Sequence, residues 1–376
     1  MFFNAKKLFI KFFCNQKDKS DWYKYCYIKV NKLAQMNYLE NILQKENFTR
    51  EEIITLLSLR SDDEIALLRK KANKIRFENC GNEIHIRALL DFSNYCEENC
   101  AFCELREDNF AVNRYRISAD EIIEIAKKIS NLGFKTIYLQ SGEDSFYDPD
   151  IIAYIIYTIK QQTDLALTLN IGPKNFDDYR AWKLAGADRY FLKFYTSNSS
   201  LYSINHKKKN LFEKISHLKF LKRIGYQTGT GNIIGLPHQT IEDIADDILL
   251  CKELDVDMVS FAPFLPHPFT PYQNKKAADL ITVLNTISIA RILMKNVHIH
   301  ASNALETLAK EGRFNAIKAG ANIIVSDLSG FVSAKNNKKI PTVDNTLNYT
   351  QELSLKVEQL GLKIAVNAGN SLKMSI

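Results

Sequence analysis

The sequence predicts an α/β fold: a TIM-type (β/α)8 barrel behind a short helical N-terminal segment. Three observations lead there. Apolar, β-rich runs alternate eight times with amphipathic helical stretches, the pattern of parallel β/α units. The units fill about 240 residues, which suits a closed barrel; a doubly wound open sheet is the rival arrangement. Gly133, Gly186, Gly225 and Gly320 stand just past four of the helical stretches, as C-terminal capping glycines do.

Residues 1–35 form an extension. Met1–Lys17 holds Lys6, Lys7, Lys11 and Lys17 among Phe2, Phe3, Leu8, Phe9, Ile10, Phe12 and Phe13, with no acid. Such a basic amphipathic stretch lies on membranes or serves as an organellar presequence. The alternative is that translation starts at Met36, so that the extension is a misassigned start. Residues 36–80 read as N-terminal helices. Thr49 and Glu52 make a capping box, and Ser61 opens a second helix with acids in its first turn.

The barrel is expected over residues 81–345, with a C-terminal helix and tail over 346–376. Its candidate strands are Ile84–Asp91, Thr136–Gln140, Ala166–Ile171, Arg189–Phe194, Gly231–Gly235, Met258–Pro263, Val297–His300 and Asn322–Val325. The intervening helices are Ala119–Asn131, Pro149–Gln161, Asn175–Ala185, Leu211–Arg223, Ile241–Leu254, Lys276–Leu293 and Ala304–Ala319, and a last helix fits Gln351–Leu360.

With 376 residues, 46% of them hydrophobic, the chain can bury a large core. No run approaches the ~18–20 apolar residues needed to cross a bilayer. The net charge of +7 is spread thinly, and His206-Lys207-Lys208-Lys209 reads as a solvated turn, so nucleic-acid binding has no support. Seven cysteines, three of them within eight residues, point to metal ligation in a reducing compartment rather than to disulfides. That compartment is the cytoplasm, or the matrix of an anaerobic organelle if residues 1–35 are a presequence.

The chemistry is concentrated in Tyr95-Cys96-Glu97-Glu98-Asn99-Cys100-Ala101-Phe102-Cys103, directly after the first strand. Spacings of four and three put three thiolates on one tight loop. Structural zinc takes four ligands, and the next histidine downstream is His206. Three thiolates with a vacant fourth position suit a 4Fe–4S cluster with one open iron, which can chelate the amino and carboxylate groups of S-adenosyl-L-methionine. Three chance buried cysteines are the bland alternative, and the polar residues between them speak against it.

Later strand ends support that reading. Ser141-Gly142-Glu143-Asp144 follows the second strand, where glycine lets backbone approach a ligand and a carboxylate can pair with an ammonium. Gly229-Thr230-Gly231-Asn232 runs through the fifth strand, and Pro263–Pro271 makes a rigid apolar exit from the sixth, in which His267 either touches substrate or makes a structural hydrogen bond.

The cysteine spacing is the signature of the radical-SAM superfamily, and DFSNYCEENCAFCELR, RYRISADEI, LQSGEDSFYD, IIGLPHQTIEDIADDILLCKELDVDM, APFLPHPFTP and AGANII together resemble its HydE family of FeFe-hydrogenase maturases from about Met36 to Val325. Methylornithine synthase and biotin synthase share the layout. The resemblance implies a radical-SAM barrel in which Cys96, Cys100 and Cys103 hold the cluster. It also implies that Phe102 lies beside the adenine of the cofactor and that Ser141, Gly142 and Glu143 receive its methionyl amino group. Where HydE has an Arg-His-Glu-Thr string whose glutamate contacts the cofactor, this chain reads Lys193-Phe194-Tyr195-Thr196, so the resemblance implies that Lys193, Tyr195 and Lys214, the last standing for a cofactor-binding arginine, bind the cofactor. Lysine keeps the charge but loses the bidentate fork. No cysteine lies between Cys103 and Cys251 or after Cys251, so the auxiliary clusters of biotin synthase and of some HydE proteins have no ligands here.

The implied reaction is adenosyl-radical attack on a small iron–cysteine complex, with ferredoxin or flavodoxin as reductant and other hydrogenase maturases as partners. A cavity lined by Tyr195, Thr228, Thr230, Asn232, Ser302 and Asn303 is expected to hold the substrate. Two other readings stand beside it: a methylornithine-synthase-type rearrangement, and a degenerate cluster-binding scaffold.

Overall fold

The computed structural model describes the backbone of residues 19–328 and 343–373, with side chains from residue 29 onward except 31, and from residue 351 in the last helix. The basic stretch Met1–Lys17 lies outside the described residues. Three helices lead in, α1 (Lys19–Gln44), α2 (Arg50–Leu57) and α3 (Asp62–Cys80). Thr49 and Glu52 close the expected capping box on α2, each side chain taking the other's backbone N–H.

Eight strands then close into a barrel: β1 (Glu83–Ser93), β2 (Thr136–Ser141), β3 (Ala166–Asn170), β4 (Arg189–Phe191), β5 (Gln227–Ile234), β6 (Met258–Pro263), β7 (His298–Ala301) and β8 (Ile323–Asp327). They pair in chain order and all in parallel, and β1 joins both β8 and β2, which closes the ring. The open-sheet alternative is thereby excluded. The outer layer comprises α4 (Ala119–Asn131), α5 (Pro149–Gln162), α6 (Phe176–Ala185), α7 (Ser199–Asn205), α8 (Leu211–Arg223), α9 (Ile241–Glu253), α10 (Leu280–Leu293), α11 (Ala304–Leu308) and α12 (Gly312–Lys318). Every residue of α10 from Thr282 to Leu293 is buried, because this helix is sandwiched between the barrel and the N-terminal helices.

Some boundaries move for physical reasons. The helix expected over Ala304–Ala319 is split in two, with Glu311 at φ 57° in the break and Gly312 pressed where a Cβ would lie 1.9 Å from the Leu305 carbonyl. The ladder of β4 stops at Phe191, three residues early. Beyond it the N–H groups of Phe194 and Tyr195 both reach the single Gly231 carbonyl, at 3.1 Å each, and Tyr195 takes φ 69°. The fifth strand begins four residues before the expected Gly231, at Gln227.

After the last helix, α13 (Val343–Gln359), a short strand β9 (Lys363–Ile364) pairs with the first residues of β1. The chain then crosses the N-terminal end of the barrel. There Arg189 donates to the carbonyls of Ala368 (2.8 Å) and Gly369 (3.1 Å), Arg87 to Gly369 (3.0 Å), and His298 Nε2 lies 2.9 Å from the Asn370 carbonyl. The tail is a plug for the barrel floor, made by backbone carbonyls that satisfy two buried guanidinium groups.

Inside the barrel, Leu89, Tyr138, Phe191, Met258 and Val325 form one apolar layer. By strand alternation the next inward positions towards the C-terminal ends are Asp91, Gln140, Asn170 and Lys193. Asn170 Nδ2 donates to Gln140 Oε1 at 2.5 Å, and Gln140 Nε2 to Asp91 Oδ1 at 2.7 Å. An apolar floor therefore lies under a polar chamber, which opens on the side where barrel enzymes carry out their chemistry.

Candidate functional site

The β1 exit carries the cysteine loop into the mouth of the chamber. Ser93 and Arg116 fix its base: Ser93 Oγ donates to Asp144 Oδ2 at 2.6 Å, and Arg116 grips both Asp144 oxygens at 2.8 and 2.9 Å. Asp144 thus ties the cysteine loop to the β2 exit. Gly142 passes so close that a Cβ there would lie 2.1 Å from the Tyr95 carbonyl and 2.7 Å from Cys96 Cβ, so no larger residue fits without moving the loop. The amide of Glu143 points at Cys96 Sγ, 3.4 Å away.

The three thiols perturb one another. Burial first, then Cys103 and Cys96, drive Cys100 far above the usual thiol range; burial pushes Cys103 up to about 11, and Cys96 rises for the same reason. Among the described residues, however, no group of three Cys, His, Asp or Glu converges on a single metal ion. Three thiols on one loop, without a second pair of Cys or His in the same loop, are a donor set that fits a 4Fe–4S cluster with one open iron better than four-ligand structural zinc.

Charged side chains ring the loop. Glu143 pairs with Lys209, and Lys214 Nζ stands 3.9 Å from its other oxygen; Lys209 also reaches Glu98 at 3.3 Å. Lys208 pairs with Glu107 at 2.8 Å and donates to the Glu97 carbonyl. The run His206–Lys209, expected to be a solvated turn, is therefore strapped across the cysteine loop. His206 is buried and held neutral, its pKa pushed down to about 3 by burial. No local signal distinguished this run, because its acidic partners lie far upstream, 66 residues away for Glu143 and 101 for Glu107.

Aromatic rings wall the mouth. Phe102 meets Tyr195 at 5.3 Å and His206 at 5.4 Å between ring centres; Tyr195 and His206 lie 4.6 Å apart. Lys214 Nζ sits 5.7 Å from the Tyr195 ring centre. Burial holds the Lys214 ammonium below its usual range, against the pull of Glu143. Ser141 Oγ donates to the Gly142 carbonyl at 2.7 Å and so braces the turn. His267 Nε2 reaches Glu104 at 2.9 Å, which ties the β6 exit to the cysteine loop.

Lys193 is enclosed by the barrel, below the loop. Its ammonium has no hydrogen-bonding or ion-pair partner among the described residues, and burial lowers its pKa, opposed only by the Cys103 thiol. It keeps some accessible surface because it faces the open chamber. Ser302 Oγ and Asn303 Oδ1 at the β7 exit are likewise buried without partners in the described structure.

The expected lining needs correction. Thr228, Thr230 and Asn232 face outward: Asn232 Nδ2 donates to Asp247 of α9, and Thr230 Oγ1 to the Leu192 carbonyl. The inward positions of β5 are the glycines. A Cβ on Gly229 would lie 2.2 Å from the Phe191 ring of the floor. Position along the strand was read correctly but its face was not, because a run of small residues carries no hydrophobic alternation.

A parallel eight-stranded barrel with a three-cysteine loop at its C-terminal mouth, fit for a 4Fe–4S cluster and faced by a glycine–glutamate turn, defines an iron–sulfur radical enzyme. A model for the radical SAM superfamily matches residues 90–251. The chain is 42% identical over 283 residues to the [FeFe] hydrogenase maturase subunit HydE of Thermotoga maritima, covering 75% of this chain and 81% of that protein. It is 31% identical to 3-methylornithine synthase of Methanosarcina acetivorans, over 77% of this chain and 82% of that one. The crystal structure of methylornithine synthase (PylB) superposes with a TM-score of 0.76 at 25% identity, over 87% of this chain and 97% of the other. The chain belongs to the radical SAM superfamily, in the group that contains HydE, and is a radical-SAM enzyme using a 4Fe–4S cluster and S-adenosyl-L-methionine. No described helix is long and apolar enough to cross a membrane.

Proposed function

We propose that this chain is a HydE-type maturase, which acts on a small anionic iron–cysteine complex during assembly of the FeFe-hydrogenase active site. The observation that carries the reading is the 42% identity to HydE together with Lys193, a cation on the inward face of the barrel beneath the cysteine loop that has no ion-pair partner among the described residues. A buried ammonium without a partner is costly, and an anionic ligand relieves it. When bound, the cluster and S-adenosyl-L-methionine supply a 5′-deoxyadenosyl radical.

This chain's residues do the rest. Cys96, Cys100 and Cys103 hold the cluster. Gly142 and Glu143 receive the cofactor's amino group, and Lys214 its carboxylate. Phe102, Tyr195 and His206 enclose its adenosyl part and keep water out. Lys193, Ser302 and Asn303 position the substrate. Ferredoxin or flavodoxin supplies the electron, and the sister maturases supply the substrate and take the product.

The test is anaerobic cluster reconstitution, addition of dithionite and S-adenosyl-L-methionine, and chromatographic measurement of 5′-deoxyadenosine, with Cys100→Ala as control. The chain is then supplied in place of HydE to the remaining maturases, and hydrogenase activity is read. Nucleoside formation that Cys100→Ala abolishes, together with restored hydrogenase, is the expected result. Nucleoside formation without restored hydrogenase would sink the maturase reading. The 31% identity to 3-methylornithine synthase favours a second reading, an amino-acid rearrangement. Incubation with amino acids and a search for isomeric products by mass spectrometry would reveal it.

A further inference from the structure

Tyr195 has a backbone conformation that aromatic residues rarely adopt, with φ at 69°. Such a conformation persists only where its surroundings over-determine it. The Tyr195 amide donates to the Gly231 carbonyl at 3.1 Å, and its own carbonyl accepts from Ile233 N at 2.9 Å. Across the bridge from Tyr195 stands Asn232, and two residues downstream stands Ser197. Both are tied to one carboxylate on α9. Asp247 Oδ1 accepts from Ser197 N at 2.5 Å and Ser197 Oγ at 2.6 Å, while Oδ2 accepts from Asn232 Nδ2 at 2.5 Å.

A fourth donor is Gln239 Nε2, at 3.3 Å from Oδ2. Its orientation is set by the backbone, since Gln239 Oε1 accepts from Gly235 N at 2.6 Å and Nε2 also donates to the Ile233 carbonyl at 2.9 Å. Asp247 has no exposed surface. Four donors and, among the described residues, no acceptor converge on it, an arrangement that the ionised carboxylate satisfies; burial raises its pKa to about 7, against the pull of the Ser197 and Asn232 hydrogen bonds.

We propose that Asp247 is a positioning residue: its carboxylate clamps Ser197 and Asn232 on either side of Tyr195, holds the strained turn, and thereby sets the Tyr195 ring against Phe102 at the cofactor site. The inference rests on the reading that Tyr195 lines that site. An amide at position 247 would turn a donor towards one pair of donors, loosening one end of the clamp while leaving the apolar packing of α9 in place.

The experiment uses the full chain with its cluster reconstituted. Asp247→Asn, Tyr195→Gly and the double variant are compared by S-adenosyl-L-methionine dissociation constant and by the change in the electron paramagnetic resonance spectrum of the reduced cluster on cofactor addition. Glycine at 195 removes both the ring and the strain. Expected are unchanged iron content and a loss of cofactor affinity of about tenfold in Asp247→Asn, the size of one lost hydrogen bond to a charged group. The spectral change should shrink, and the double variant should bind no worse than Tyr195→Gly alone, the non-additivity of residues acting as one unit. Wild-type affinity in Asp247→Asn while Tyr195→Gly is impaired would overturn the clamp alone, as would additive losses. Wild-type affinity in Tyr195→Gly would overturn the placement of Tyr195 and the clamp with it. Should Asp247→Asn fail to fold, Ser197→Ala, which removes one donor and keeps the carboxylate, carries the same comparison.

Discussion

Replacing Lys193 by methionine should make the protein more stable and less able to hold its substrate. The ammonium is enclosed, has no partner among the described residues, and lies above the apolar layer of Leu89, Tyr138 and Phe191. Burying an uncompensated ion costs several kcal/mol, and the surface left to the chamber lets water screen part of that, so a gain of about 1–2 kcal/mol is expected. For a chain of this size that corresponds to a rise in Tm of roughly 1–3 °C. The gain should depend on pH. Burial lowers the folded-state pKa below 10.5, so the unfolded chain binds more protons between the two values and wild-type stability climbs with pH there. The advantage of Lys193→Met is then full at neutral pH and fades as pH approaches 10.5. Losing one charge-assisted contact to an anionic substrate should weaken its binding by about 10–150-fold. Formation of 5′-deoxyadenosine without substrate should persist. Anaerobic thermal unfolding from pH 7 to 10 and substrate titration of the loaded enzyme measure both halves. A destabilised variant with wild-type substrate affinity would show that Lys193 is a paired core residue and would refute the argument.

Gly142→Ala places a Cβ 2.1 Å from the Tyr95 carbonyl, so iron content after reconstitution should fall to background while the far-ultraviolet circular dichroism stays native. Deleting residues 363–376 strips the carbonyl partners from Arg87 and Arg189; a loss of about 3–5 kcal/mol is expected in urea unfolding, and cleavage by added protease should rise. Burial lowers His206 to about 3 and His85 to about 4, with His298 and His300 well below their usual value. Each stays neutral in the folded chain while the unfolded chain protonates below pH 6.5, so stability should fall by about 1.4 kcal/mol per pH unit per histidine between pH 6 and 4. Urea unfolding of the cluster-free chain at stepped pH reads this, and a flat profile would contradict it.

The barrel was legible because each of its signals is local. The capping box at Thr49 and Glu52, the β-rich runs and the capping glycines are decided within a few residues, and the structure repeats them almost in place. The cysteine loop was legible for the same reason, since its spacing alone places three thiols together. Misreadings arose where partners are distant. Lys208 and Lys209 looked solvated because Glu107, Glu98 and Glu143 approach them only after folding. Thr228, Thr230 and Asn232 were assigned to the wrong face because Gly229 and Gly231 erase the alternation that marks an inward side.

By itself, then, the sequence determined the parallel eight-unit barrel, the three-thiol loop at its mouth and the class of chemistry that such a loop performs, since hydrophobic period and ligand spacing are properties of neighbouring residues. Tertiary structure alone decided which charges are paired, that Lys193 has no partner among the described residues, how the tail closes the barrel floor and why Tyr195 can hold a strained turn. Those outcomes depend on contacts between residues far apart in the chain. Burial sets their energies, and burial is fixed only when the barrel closes.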